Sequence, residues 1–420
     1  YYVLPWLTWD GRQAVLFDLP ARRFYVLGLD FWPQDFIYLA LLLICAGLSL
    51  FFFTALAGRL WCGYACPQTV WTEVFIWMER WVEGDRNKQM KLDKAPWSAE
   101  KVARKATKQF LWITFALWTG FTFVGFFTPI RELGHSVMTL SLGPWELFWG
   151  IFYSVATYGN AGILRSQVCK YMCPYARFQS AMFDRDTLII SYDEARGEPR
   201  GGRKKKDDPA ELGLGDCVSC TLCVQVCPTG IDIRDGLQYE CIACAACIDV
   251  CDQVMDKMGY DRGLIRYTTE NALSGKPSKV LRPRIFIYAT LLTAVLVGVF
   301  VSLSNKTPLR ADLIRDRNTL YREVDNGLVE NIYKLKLINQ DRVAHQYRVT
   351  IPDYPQIQIQ VFPDPVLQPG QVGEFSFTLR APADLGAGSM KIEVLFEAVD
   401  NPEIKRLTES RLLLPAGGAP

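Results

Sequence analysis

Histidine is almost missing. The 420 residues hold two, His135 and His345, and neither lies inside a long apolar run, so a haem held within a membrane between paired imidazoles is excluded. There is no Cys-x-x-Cys-His attachment pattern, no Walker loop, and no dinucleotide or flavin fingerprint, so the donor in a redox reaction is not bound by a recognisable nucleotide module. Charge of one sign is lacking too. A formal net charge of +2 offers little to a polyanion, and no nucleic-acid partner is expected. Cysteine is plentiful, thirteen in all, yet none lies beyond Cys251, which excludes a carboxy-terminal disulfide framework.

Eight of the cysteines fall in two consecutive runs, Cys217, Cys220, Cys223, Cys227 followed by Pro228, then Cys241, Cys244, Cys247, Cys251. A thiolate every third residue offers three sulfurs to one [4Fe-4S] cluster, and the fourth turns toward the neighbouring cluster. Cys217, Cys220, Cys223 and Cys251 are therefore assigned to a first cluster, and Cys241, Cys244, Cys247 and Cys227 to a second. Zinc has no use for eight ligands in this interleaved register, and disulfides need an oxidising compartment. Asp252 stands where the second run would carry its proline, the one departure from the pattern.

Four runs are apolar for about the twenty residues that a bilayer core demands: Phe36 to Gly58, Phe110 to Ile130, Trp145 to Leu164 and Ile285 to Leu303. Each is expected to be a membrane helix, and the opening Tyr1 to Trp6 to be the tail of an earlier one. Trp32, Trp112, Trp118 and Trp145 fall at or near the ends of these runs, where indole rings favour the headgroup zone. Cys45, in mid-span, is read as packing.

Basic residues orient the spans. Arg86, Lys88, Lys91, Lys94, Lys101, Arg104, Lys105 and Lys108 separate the first two runs, whereas the next short loop offers only Arg131. The basic loop is expected to be cytoplasmic. Alternation puts His135 outside and the insert from Arg165 to Arg284 inside, with Arg165, Lys170, Arg177, Lys279, Arg282 and Arg284 near its ends. The tract Arg200 to Asp208, with Arg203, Lys204, Lys205 and Lys206 in a row, reads as a solvated linker near anionic headgroups.

From about Thr319 the pattern alternates with period two: Tyr333, Leu335, Leu337; Tyr347, Val349, Ile351; Ile357, Ile359, Val361; Phe375, Phe377, Leu379. Turn-forming stretches at Asp353 to Pro355, Pro363 to Gly370 and Ala381 to Gly388 divide about seven strands in roughly a hundred residues, the size of an immunoglobulin-like sandwich. The fold expected is thus a multi-domain membrane protein: an α-helical transmembrane bundle over residues 1–199, a cytoplasmic two-[4Fe-4S] ferredoxin-like domain over 200–275, a last transmembrane helix within 276–304, and an all-β periplasmic sandwich over 305–420.

A second cysteine pattern is an internal repeat. Cys62-Gly-Tyr64-Ala-Cys66-Pro67 and Cys169-Lys-Tyr171-Met-Cys173-Pro174 share Cys-x-Tyr-x-Cys-Pro, follow Arg59 and Arg165, and precede the amphipathic segments Gln68 to Val82 and Tyr175 to Phe183. Proline favours the first helical position, which places Cys66 and Cys173 at helix N-caps, where the dipole lowers thiol pKa. Two copies can bring four sulfurs around one soft ion such as Cu(I) or Zn(II). A structural zinc site or a dithiol-disulfide relay are the other readings.

The Pro5-Trp6-Leu7-Thr8-Trp9-Asp10-Gly11-Arg12-Gln13-Ala14 segment, both Cys-x-x-x-Cys-Pro motifs, the two-cluster run and the carboxy-terminal sandwich, in this order, resemble the CcoG family, also called FixG or RdxA. The resemblance spans essentially the whole chain. It implies a cupric reductase of the bacterial inner membrane that delivers Cu(I) during assembly of cbb-type cytochrome c oxidase, with Cys62, Cys66, Cys169 and Cys173 binding copper. The expected partners are the membrane, a cytoplasmic electron donor, a copper chaperone or transporter and the oxidase assembly machinery, with a homodimer as one candidate assembly. Two rivals remain: a quinol dehydrogenase exchanging electrons with the quinone pool, and a redox-sensing assembly scaffold.

Overall fold

The computed structural model describes residues 1–415 apart from 181, 206, 208–210, 317–318, 325–326 and 361. Lys206, Asp208 and Val361 thus lie outside the described residues, as does the side chain of Arg177. The chain divides into two compact units, Tyr1–Val299 and Phe300–Pro420.

In the first unit, Leu4–Trp6 forms a single 3-10 turn containing Pro5, and the Tyr1 hydroxyl donates to the Thr119 carbonyl at 2.9 Å. A three-stranded antiparallel sheet, β1 (Val15–Asp18), β2 (Arg23–Val26) and β3 (Leu29–Phe31), leads into α1 (Phe36–Ala57). Helix α1 is apolar on every side, the pattern of a helix surrounded by core or by lipid. Next come α2 (Pro67–Glu83), α3 (Ala99–Val124), α4 (Pro144–Thr157) and α5 (Pro174–Ser180).

Among the described residues, two helices are long and apolar enough to cross a membrane, α1 and the later Pro283–Ser304. The other two expected spans differ in their bounds. Helix α3 stops at Val124 instead of reaching Ile130, because the chain turns at Gly125 and Pro129 before a short helix, Ile130–Met138. Its first half carries Lys101, Arg104, Lys105 and Lys108. Helix α4 loosens after Thr157 into a π turn, Tyr158–Leu164. The two cross closely: a Cβ on Gly120 would overlap Ser154 Oγ and the Gly150 carbonyl, so only glycine fits this crossing.

Two of the tryptophans expected at the headgroup zone are buried, Trp32 and Trp112. Trp112 packs on Phe75, Ala116 and Ala161, and its indole N–H donates to the Phe75 carbonyl at 3.1 Å. A buried indole needs such a partner, and the tight α2–α3 packing supplies it.

Charge ties α2 to α3. Glu83, almost fully buried, meets Lys108 Nζ at 2.9 Å and Lys105 Nζ at 3.1 Å, and Lys108 also reaches Glu79 at 3.3 Å. Lys105 and Lys108, counted among the basic residues expected to orient the loop, are therefore consumed in a partly buried network, where removing one partner strands the other.

The cysteine-rich segment is closed at its base by an antiparallel pair, β4 (Ile189–Tyr192) with β5 (Ile265–Thr268), and contains α6 (Leu222–Val226) and α7 (Ala246–Met258). Its core is Ile190, Tyr192, Ile231, Ile233, Met255, Leu264 and Ile265 around buried Cys217 and Cys223. The preceding basic tract is not wholly a solvated linker. Arg203 stacks over Tyr260 at 5.1 Å and donates to its hydroxyl at 2.9 Å. The last helix, α8 (Pro283–Ser304), follows.

The second unit is a two-sheet sandwich. Strands β6 (Leu309–Arg315), β7 (Arg322–Val324), β8 (Leu328–Asn339), β9 (His345–Thr350), β10 (Gln358–Gln360), β11 (Val366–Leu367), β12 (Val372–Pro382), β13 (Ser389–Ala398) and β14 (Lys405–Leu413) form sheets ordered β10-β12-β8-β6, with β7 also on β8, and β11-β9-β13-β14. The alternating residues face inward, with Tyr333 opposite Phe377 across β8 and β12. The strands begin at Leu309, ahead of Thr319, because Leu309, Ala311 and Leu313 already alternate. Nine strands stand among the described residues where about seven were expected, since the two- and three-residue strands β7 and β11 are too short for a periodicity signal.

Buried His345 is held between two carboxylates, Nδ1 to Asp400 at 2.7 Å and Nε2 to Asp341 at 2.9 Å. Burial opposes its charge, but the two hydrogen bonds and the negative charge outweigh it, and its pKa is raised. A group whose folded pKa is raised contributes stability below its unfolded pKa of about 6.5, and that contribution is lost as pH rises through the folded value. Thermal unfolding of the sandwich is expected to fall to lower temperature as pH rises past about 6.5, and His345→Gln to flatten that dependence, as followed by calorimetry of the full chain.

Candidate electron-transfer site

Both four-cysteine runs fold into the same loop. Ser219 and Thr221 in the first, and Ala243 and Ala245 in the second, take left-handed backbone angles, φ +52, +56, +56 and +63. For residues with a side chain this conformation costs about 1–3 kcal/mol each. What it achieves is a concave run of backbone N–H groups of the kind that cradles anionic iron-sulfur groups.

Two small cavities result. One is walled by Cys217, Cys220, Cys223 and Cys251, the other by Cys227, Cys241, Cys244 and Cys247, with Cys223 on the wall of both. The fourth cysteine of each run thus crosses to the other cavity. Electrostatics agree with that partition. The Cys251 thiol is pushed up to about 12 by burial and then by Cys223, Cys217 and Cys220. That of Cys247 is pushed up to about 12 by burial and then by Cys241, Cys244 and Cys227. Four sulfurs around each cavity fit a [4Fe-4S] cluster, whose binding must displace the thiol protons.

The missing proline has a local cause. Pro228 follows the end of α6, whereas Cys251 lies inside α7, where proline would break the helix. Asp252 instead accepts from the Gly263 N–H at 2.9 Å.

The two Cys-x-Tyr-x-Cys-Pro motifs also share one shape. Trp61–Ala65 and Val168–Met172 are single π turns, closed by Cys66 N–H to Trp61 O at 2.8 Å and Cys173 N–H to Val168 O at 2.9 Å. Such turns are rare and concentrate at functional sites. Cys66 is the N-cap of α2, and Cys173 immediately precedes α5; both are extended, as a residue before proline must be.

The fold gathers the four thiols. Burial pushes Cys62 up to about 12, with Arg59 pulling it down and Cys66, Cys169 and Cys173 each adding to the rise; burial also raises Cys169. Cys62 and Cys169, the first thiols of their motifs, are therefore costly to ionise. Among the described residues, however, no three His, Cys, Asp or Glu side chains converge closely enough to share one metal ion. The two arginines differ in role. Buried Arg59 lies beside the thiols and donates to the Ala176 carbonyl at 2.6 Å, while Arg165 turns to Glu79 at 2.7 Å.

Residues that the motifs did not reveal complete the site. Fully buried Gln179 accepts from the Cys62 thiol at 3.2 Å and donates to the Gly58 carbonyl at 2.9 Å. Thr69 donates to the Cys62 carbonyl at 2.6 Å. Gln179 lies six positions after Cys173, so only its polarity within a largely apolar stretch could have flagged it.

Comparison with known proteins agrees with this geometry. Residues 164–270 match the 4Fe-4S dicluster domain family, residues 38–88 a 4Fe-4S binding domain family, and residues 299–415 the IG-like fold at the carboxy terminus of FixG. The chain is thus an iron-sulfur protein of electron transfer. It is 43% identical to protein RdxB of Cereibacter sphaeroides over 365 residues, covering 84% of this chain and 76% of that protein. It is 40% identical to nitrogen fixation protein FixG of Rhizobium meliloti over 398 residues, 86% and 76%. With protein RdxA of Cereibacter sphaeroides the figures are 37% over 438 residues, 100% and 89%. The chain belongs to the FixG, RdxA and RdxB family. The crystal structure of a FixG-related protein from Vibrio parahaemolyticus, 27% identical, covers 26% of this chain and 98% of its own at a TM-score of 0.24, and the assignment does not rest on it.

The crossed partition makes a sharp prediction. Cys227→Ala is expected to remove the cluster of the other run, Cys241 to Cys247, and to spare that of its own; Cys251→Ala should do the reverse. Electron paramagnetic resonance of the reduced, full-length variants distinguishes this from loss within the mutated run.

Proposed function

We propose that the chain is a membrane-bound reductase that passes single electrons to Cu(II) and releases Cu(I) for assembly of cbb-type cytochrome c oxidase. Cys217, Cys220, Cys223 and Cys251 would hold one [4Fe-4S] cluster, and Cys227, Cys241, Cys244 and Cys247 the second; bound there, the clusters supply one-electron chemistry. Cys62, Cys66, Cys169 and Cys173 receive copper as substrate, and sulfur ligation favours the Cu(I) product. The observation that carries this reading is the gathering of four thiols, from motifs more than a hundred residues apart, beside the cluster segment, where Gly63 meets the Ala243 backbone and Cys169 shares a cavity wall with Cys227. In this reading the chain crosses a bacterial inner membrane several times, with the basic loop and clusters facing a cytoplasmic donor and the sandwich facing the periplasm. A copper chaperone or transporter and the oxidase assembly machinery would be its partners.

One observation favours a second occupant for the same thiols. The stretch 38–88 matches a 4Fe-4S binding family, yet its cysteines are Cys45 within α1, Cys62 and Cys66. Cys62 and Cys66 with Cys169 and Cys173 would make the four ligands of a further cubane, which spaces its sulfurs more widely than a single ion does. Copper would then be reduced at the edge of that cluster.

A quinol dehydrogenase has less support. An apolar cavity of about 700 Å³ lies among Phe123, Phe127, Trp145, Trp149 and Tyr153. Its wall, which reaches Tyr153 along α4, includes none of the cysteines.

Anaerobic protein with reduced clusters, mixed with Cu(II) and a Cu(I) chelator, is expected to form Cu(I), and Cys62→Ala with Cys169→Ala to abolish most of it. Unchanged yield in the double variant rules out the thiol site. Iron and sulfide analysis separates the occupants: unaltered content in the double variant supports copper, and loss of one cluster's worth supports the further cubane.

A further inference from the structure

We propose that the cavity of Cys227, Cys241, Cys244 and Cys247 is the one that exchanges electrons with the membrane-edge thiols, and that Gly63 and Tyr267 are positioning residues that set the separation between them. This rests on the reading that those thiols mark where electrons leave the chain, and it adds a direction and a junction.

The first motif lies directly on the loop of this cavity. A Cβ built on Gly63 would stand 2.6 Å from the Ala243 carbonyl oxygen, 2.9 Å from its carbon and 2.9 Å from the Ile242 oxygen. All three are backbone atoms, so no rotamer change relieves the overlap, and any larger residue must push the motif away. Ala243 is one of the left-handed residues, lying between Cys241 and Cys244. Tyr267 fastens the same carbonyl, donating to Ala243 O at 2.8 Å, and its oxygen pairs with the Tyr64 hydroxyl at 3.0 Å. Because the Tyr267 proton is committed to Ala243, Tyr64 is the donor in that second bond. One carbonyl of the cluster loop is thereby tied to both Gly63 and Tyr64 of the motif.

The second motif reaches the same cavity independently. Lys170, between Cys169 and Cys173, donates to the Thr229 carbonyl at 2.9 Å, and the Thr229 hydroxyl is 3.3 Å from Cys227 Sγ. A polar cavity of about 270 Å³ has both Cys169 and Cys227 in its wall. Neither cavity has a motif residue in its wall, but among the described residues the close approach and hydrogen bonds of the two motifs to the cluster segment go to Ala243, Ile242, Tyr267 and Thr229, and none go to the walls of the other cavity, whose Cys220 is exposed. Its exposed Cys220 suits that cavity to a soluble one-electron reductant. Each turnover moves one electron: the reductant loses it and one Cu(II) becomes Cu(I), while the thiols that take up copper release their protons as it binds and recover them as Cu(I) leaves.

The test uses the full-length protein in detergent, reduced anaerobically and mixed rapidly with Cu(II) and a Cu(I) chelator while cluster absorbance is followed. Gly63→Ala is expected to slow cluster reoxidation by about tenfold, an added barrier of about 1.4 kcal/mol, and Tyr267→Phe to slow it less. Iron and sulfide content, and the electron paramagnetic resonance of both clusters before mixing, should match wild type in each, which a folding defect would not allow. Reoxidation at the wild-type rate in Gly63→Ala with intact clusters overturns the junction. Should Gly63→Ala lose iron, Tyr267→Phe decides alone, its wild-type rate being the overturning result. Failure of Cu(II) to reoxidise the wild type would instead overturn the copper reading itself.

Discussion

Everything at the redox site depends on turning sulfur inward against the preference of the backbone. Four residues with side chains, Ser219, Thr221, Ala243 and Ala245, adopt left-handed angles so that two loops can close around two cavities. The thiols gathered there are costly to ionise: burial raises Cys223, Cys241, Cys244, Cys247 and Cys251. A metal group that takes them as thiolates must displace their protons, so its binding free energy becomes folding free energy for the segment. The hydrophobic contacts around Met255, Leu264 and Ile265 supply a frame that does not depend on that step.

The second requirement is proximity. The thiols of the paired motifs and the cluster loop belong to segments far apart in sequence, and Gly63 lets the first motif approach that loop to backbone contact. Charge holds the scaffold behind them. Glu79 joins Lys108 of α3 to Arg165 at the second motif, so the network that packs α2 on α3 also anchors the segment carrying Cys169. Burying these ions has a large desolvation cost, and mutual pairing offsets it. The result is a defined position for the π turns, which helix propensity alone would not produce.

Much of this was legible in the residues. The interleaved placement of the eight cysteines around two cavities followed from spacing, and the apolar helices α1 and α8 from length. The inward faces of β8, β9 and β12 followed from alternation, and the strands missed, β6, β7 and β11, either adjoin an apolar helix or are too short to show a period. The ends of α3 and α4 were not legible, because an apolar run does not say where Gly125 turns the chain or where α4 widens into a π turn. Nor were the buried places of Trp32 and Trp112, since an indole near the end of an apolar run suits a headgroup zone and a packed core equally.

Chemistry that depends on residue type at short spacing was set by the chain itself: which sulfurs sit close in sequence, where proline starts a helix, which faces are apolar. Tertiary structure alone decided which distant groups meet, namely Gly63 with Ala243, Tyr64 with Tyr267, Lys170 with Thr229, Gln179 with Cys62 and Arg59 with the thiols. Local patterns encode backbone geometry over a few residues. A contact between loops far apart in the chain depends on how whole helices pack, and no single stretch of sequence carries that information.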